Sequence, residues 1–235
     1  MSNVDYESKT FVLKVNLDKF EATKITEQKK ISVFKSLFSK PKADEVNVAS
    51  TDLIYEGVLY VSGTYTADYY RKATHEISVD HNVSEVVLGD GTFPIREKSK
   101  FAKMLSGKKG KNKVDIQMEE HAYTVNSDSM YFDQHGTEIK FPFKLDSKNL
   151  ENYPTRVLQK NQSGVKKPDL SVEDAMTKLK TKLKQLDVEN VRDLREDFTI
   201  DEVYEIYVPI YESRIVGPKK KVELLRIDAV RNKIL

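Results

Sequence analysis

The apolar positions of this chain keep a helical period in only a few places. Val172, Ala175, Met176, Leu179, Leu183 and Leu186 recur at the spacing of one helix face. Ser171 precedes the stripe as an N-cap, and Asp174 stands three residues on, a variant of the capping box. Lys178, Lys180, Lys182 and Lys184 fall off the centre of the stripe, so the pattern predicts a helix over 171–186 with one buried face. A shorter stripe of Ile31, Phe34, Leu37 and Phe38, with lysines between and Pro41 at its end, predicts a second helix. Phe101, Met104 and Leu105 predict a third, of a turn or two, closed by Gly107.

Elsewhere the period is that of strands. Residues 10–17 are rich in β-branched and aromatic types. Between 52 and 88, four short runs are separated by Gly57, Gly63 and the Asp80-His81-Asn82 turn, which predicts an antiparallel meander. Residues 114–125 and 129–143 read as further strands, and Asp133-Gln134-His135-Gly136 has the residues of a hairpin turn with a left-handed glycine. From 146 to 169 periodicity is lost, with two prolines, one glycine and many Asn, Gln and Ser. This predicts an N-terminal α+β domain over 1–145, a linker or crossover at 146–170, and a C-terminal helix-plus-hairpin domain over 171–235.

The run 207–230 contains a tyrosine-rich strand, a Gly217-Pro218 break, three lysines and a second strand ending in Asp228. The layout of residues 202–235, which include it, is similar to that of residues 52–88. Tyr55-Glu56 corresponds to Tyr204-Glu205, and Val79-Asp80 to Ile227-Asp228. A unit of helix, link, strand, charged turn and strand would then occur twice, and pairing two copies would bury what one copy leaves open. The expected fold class is α+β: antiparallel sheets with two or three helices on one face, in two related helix-plus-hairpin halves.

Composition narrows the chemistry. In 235 residues, 39 basic and 37 acidic side chains leave a net charge of +2, so only local clusters could favour nucleic acid or a membrane surface. The absence of cysteine excludes disulfides, thiolate catalysis, zinc ribbons and iron–sulfur clusters, and fits a reducing cytoplasm. No run approaches the roughly 20 apolar residues of a transmembrane helix, and the first residues lack the pattern of a secretory signal. The helix around Ile31 has lysines that could touch an anionic bilayer, but its apolar stripe is short, and covering a sheet is the expected role.

His75, His81, His121 and His135 show no HxH or HExxH spacing, so no metal ligands are assigned. No GxSxG, GxGxxG or P-loop pattern is present, and the pairs Glu119-Glu120, Glu196-Asp197 and Asp201-Glu202 read as solvated faces. No catalytic residue and no cofactor is expected. Three basic clusters remain: Lys108, Lys109, Lys111 and Lys113; Lys166 and Lys167; and Arg214, Lys219, Lys220, Lys221 and Arg226 at the hairpin. Tyr207 and Tyr211 lie near the last cluster and, if exposed, could stack on bases. The competing reading, which is the favoured one, makes Gly217-Pro218 the turn, the lysines a soluble tip that discourages strand-edge aggregation, and the tyrosines half-buried sheet residues.

The segment 171–235, a helix followed by "YVPIYESRIVGPKKKVELLRIDAVRNKIL", resembles the helix-plus-hairpin unit of PepSY-like and cystatin-like domains, whose second strand ends in a similar "DA" turn. It is also similar to sequences of uncharacterised archaeal proteins. Arg231-Asn232-Lys233 stands where that unit usually has a glycine. The resemblance implies a binding or inhibitory module and transfers no catalytic residue. The expectation is therefore a non-catalytic cytoplasmic binding or scaffold protein, engaging a protein partner or itself. The alternative is a nucleic-acid-binding protein using its basic hairpin and loop tips.

Overall fold

A computed structural model describes residues 6–35, 41–96, 111–184 and 191–235. The expected helix at 101–105 lies outside these residues, as do Leu37, Phe38, Lys108, Lys109 and Leu186. The chain divides into two compact units. The first comprises residues 1–64, 127–184 and 198–235, and the second 65–126 and 185–197. This partition differs from the expected 1–145, 146–170 and 171–235.

In the first unit, strand β8 (Val191–Val216) is central. It has β2 (Asn47–Val79) on one side. On its other side β1 (Ser8–Val12) pairs parallel with residues 203–207, and β9 (Val222–Asp228) pairs antiparallel with 210–216. The β10 strand (Lys233–Ile234) adds to β9, while β5 (Asn112–Phe132) and β6 (Glu138–Ile139) follow β2. The short β7 (Val165–Lys166) runs parallel to β2 at Tyr55 and Glu56.

Both faces of β8 are buried here. Ile206, Val208 and Ile210 pack with Ile54, Val58 and Leu13, beneath Phe141, Phe143 and Leu150. Tyr207 packs with Tyr55 against Val157 and Leu158 of helix α2 (Pro154–Lys160). Tyr211 and Ile215 meet Ala22, Ile25 and Val33 of helix α1 (Lys19–Val33). Successive strand residues face opposite ways, so α1 and α2 share the face of Tyr207, Tyr211 and Ile215. A buried hydroxyl chain binds α1 to this face. Ser213 Oγ lies 2.8 Å from Thr26 Oγ1 and 2.9 Å from Thr51 Oγ1, and Thr26 donates to the Ala22 carbonyl. Buried hydroxyls require such partners.

Helix α3 (Val172–Leu183) forms as its stripe predicts. The Ser171 hydroxyl accepts from the Asp174 amide at 3.1 Å, and Ala175, Met176, Leu179 and Leu183 are buried. Helix α1 begins twelve residues before Ile31, at an Asp18 cap that accepts from the Glu21 amide. Its apolar side packs on the sheet. Among the described residues no helix is long and apolar enough to cross a membrane.

One expectation gives way. The meander at 52–88 is instead one strand, β2, followed after the 80–82 turn by the hairpin of β3 (Glu85–Leu88) and β4 (Gly91–Pro94). Gly57 and Gly63 lie inside β2 because neighbours come too close for a side chain. A Cβ would stand 2.5 Å from Pro168 Cδ at Gly57, and 2.7 Å from the Thr199 carbonyl oxygen at Gly63. Residues 52–79 thus do not turn back as 202–228 do, and the layouts of the two segments differ. Residues 146–170, expected as a linker or crossover, carry α2, a 3-10 turn and β7, and Leu150 bridges Leu13. The Asp133–Gly136 turn is present. Gly136 has φ of 79°, and Asp133 Oδ1 accepts from the amides of His135 and Thr137.

Leu179 is fully buried. Leu179→Ala is expected to cost about 2–5 kcal/mol, as large-to-small core changes do, measured by urea unfolding. A cost below about half a kcal/mol, the range of surface substitutions, would place α3 outside the core.

Candidate interaction surface

The hairpin residues predicted as a site separate into three groups. Tyr207 and Tyr211 are 2% and 4% exposed, so neither ring can receive a base. The Tyr207 hydroxyl donates to Glu205, and burial pushes the phenols of both tyrosines up from their ordinary value, Tyr207 with help from Glu205. Arg226 is drawn inward. It pairs with Glu56 and lies 3.9 Å from Glu212, and Lys166 meets the same two carboxylates at 3.6 and 3.4 Å. Two cations and two anions from four strands thus neutralise one another. Arg214, Lys219 and Lys220 are exposed, and Lys221 is exposed but bridges Glu223. The aromatic and basic components proposed to act together are therefore on different sides of the strand.

The second unit assembles a different constellation. On β2, Asp68 and Tyr70 share a face by alternation, and Arg192 of β8 and His121 of β5 both meet the Tyr70 ring. The His121 ring stacks on Tyr70 at 4.5 Å and 12°. The Arg192 guanidinium sits 5.0 Å from the Tyr70 centroid, a cation–π distance. His121 Nε2 hydrogen-bonds Asp68 Oδ1. A carboxylate oxygen only accepts, so Nε2 carries the proton. Arg192 is held in turn by a two-point contact with Glu119, Nε at 3.1 Å and Nη2 at 2.8 Å.

Asp193 has a left-handed φ of 54°, a conformation Asp tolerates better than most residues. This breaks the alternation of β8, and the consecutive residues Asp193, Leu194 and Arg195 all line one open concavity of about 500 Å³, with Asp68, Tyr70 and His121. Farther along β5, on the face of Glu119 and His121, Tyr123 is 67% exposed and Val125 is 55% exposed. The opposite face of the same strands buries Tyr65, Ala67, Tyr69, Val114 and Ile116. There Arg71 and His75 both bind Glu120 and hold its carboxyl below the usual range, Arg71 contributing most.

His121, one of the four histidines without metal-ligand spacing, has its partner Asp68 on another strand. Asp68, Tyr70 and Arg192 were missed, because their meeting depends on the pairing of three strands distant in sequence. Each of His75, His121 and His135 pairs with one carboxylate, and among the described residues no group of three or more metal-ligating side chains forms. Lys111 and Lys113, from the predicted loop cluster, flank or begin β5, and Lys113 pairs with Glu76. Comparison of the chain with protein-family models, with curated proteins and with solved structures finds no match to any of them.

Two outcomes follow. Replacing Lys219, Lys220 and Lys221 together by Ser should leave the melting temperature nearly unchanged, since exposed ion pairs contribute little; a large drop would mean a packed tip. In Arg71→Gln, the Glu120 titration followed by carboxyl-carbon NMR should move up toward about 4.3. Because the folded carboxyl titrates low, its stabilisation is present above that value and fades as pH falls through the folded one. An unmoved titration would remove Arg71 as the cause.

Proposed function

We propose that this protein is a non-catalytic cytoplasmic binding protein that engages a protein partner through the exposed sheet face of its second unit. The observation that carries this reading is the exposed pair Tyr123 and Val125 beside the Tyr70–His121–Arg192 cluster. Tyr and Arg are the side chains that anchor protein interfaces, because they bury large area and still hydrogen-bond. Here the rings are pre-oriented. Tyr70 is stacked by His121, and Arg192 is clamped by Glu119, so little side-chain freedom is left to lose on binding.

The charge balance argues against nucleic acid on this face. Asp68, Glu119 and Asp193 stand among Arg192 and Arg195. A phosphate backbone would meet carboxylates as often as cations, whereas a protein surface of mixed charge would not be repelled.

A photo-crosslinking amino acid at position 123 in the full chain, expressed in its native cells, is expected to yield a discrete protein adduct that disappears when Arg192→Ala is added. The same probe at position 153, where Tyr153 of the first unit is exposed, is expected to yield none. Adducts with RNA, or equal labelling from both positions, would overturn the proposal.

A further inference from the structure

The outer edge of β9 carries backbone groups that no described strand pairs. The β10 strand covers only Ile227 and Asp228, and the Leu235 amide donates to the Arg226 carbonyl at 2.9 Å. That bond fixes which residues point outward. In an antiparallel ladder the bonding direction alternates, so with Arg226 directed outward, Leu224 and Val222 are directed outward too. The inner edge agrees: the Gly217 amide bonds the Lys221 carbonyl at 2.8 Å, placing the odd-numbered residues toward β8.

Open edges are ordinarily blunted by lysine, proline or an inward-pointing charge. At this one the side chains are apolar, with Val222 46% and Leu224 51% exposed. Beside them lies positive charge with no acid to meet it. Leu224 stands opposite Arg214 on β8, and Arg214 is exposed. Lys219 and Lys220 are exposed at the hairpin tip, both in left-handed conformations with φ of 56° and 57°. Among the described residues no carboxylate pairs with these three cations. The nearby acids are already engaged, Glu223 by Lys221 and Glu212 by Lys166.

We propose that this edge receives an acidic, extended segment of a partner protein as an added strand. Its main chain pairs with the outward amides and carbonyls of Val222 and Leu224. Its alternate apolar side chains rest on the exposed Val222 and Leu224, and its carboxylates meet Arg214, Lys219 and Lys220. Main-chain pairing supplies affinity in this mode, and alternate side chains supply selectivity. A nucleic acid would satisfy the cations but leave the edge amides unpaired. A second copy of the same edge would oppose like charges. The inference does not rest on the surface of the second unit.

The probe is a short fluorescent peptide alternating Glu with Val or Thr, added to the full chain at low salt and read by polarisation. Binding is expected to weaken by about tenfold or more in the triple variant Arg214→Ser, Lys219→Ser, Lys220→Ser. It is expected to weaken comparably when the peptide amides that would face the edge are N-methylated. Hydrogen exchange at Val222 and Leu224 should slow with the unmethylated peptide. Leu224→Glu, at an exposed position, is expected to keep the melting temperature and lose the peptide. Equal binding of the methylated peptide would reduce the site to plain charge attraction. Tighter binding of single-stranded DNA, a peptide-free dimer abolished by Leu224→Glu, or no peptide binding at all would each overturn the proposal.

Discussion

The first unit is organised by a single demand: β8 must hide both of its faces. An interior strand with apolar residues on both sides needs cover above and below, and here the cover is of two kinds. Irregular chain carrying Phe141, Phe143 and Leu150 closes one side, and helices α1 and α2 close the other. Polar groups enter that second side only with partners. Ser213 is tolerated because Thr26 and Thr51 complete its hydrogen bonds, and the same bonds set where α1 lies.

Pro209 shows how closely backbone and topology are matched. A proline inside a central strand removes a donor from the ladder and is ordinarily found at edges. The bonds made by the carbonyls of Tyr207 and Pro209, to Leu13 and Ala229, show that the missing amide would face the side shared by β1 and β9. β1 ends opposite Tyr207 and β9 ends opposite Ile210, so the proline falls where one neighbour hands over to the other. Ala229 stands opposite Pro209, and its carbonyl, which would have met the missing amide, accepts instead from the amides of Asn16 and Leu17.

The proposed function rests on surfaces. The second unit turns one face of its strands inward with Tyr65, Ala67 and Tyr69, and leaves the other to a network of rings and ion pairs around Tyr70. The hairpin of the first unit divides likewise, with its tyrosines buried and Arg214, Lys219 and Lys220 outside. In each case the alternation of a strand decides which residues can work together. Neighbours in sequence are separated, and residues dozens of positions apart are joined.

Local pattern alone determined α3 with its Ser171 cap, the turn at Asp133–Gly136, the strand character of most of the chain and the mixed α+β class. These depend on interactions within a few residues, which a sequence displays directly. What only the tertiary structure decided is everything that needs a distant neighbour. Gly57 and Gly63 read as breaks until Pro168 and Thr199 are seen lying against them. Tyr207 and Tyr211 fit either a stacking platform or a sheet core until α1 and α2 are seen to cover them. The 146–170 segment lacks periodicity, yet it packs, because burial there is set by the sheet it crosses and not by its own repeat. The cluster of Asp68, Tyr70, His121 and Arg192 exists only because three strands pair in one register, and register is a property of the assembled sheet, not of any one strand.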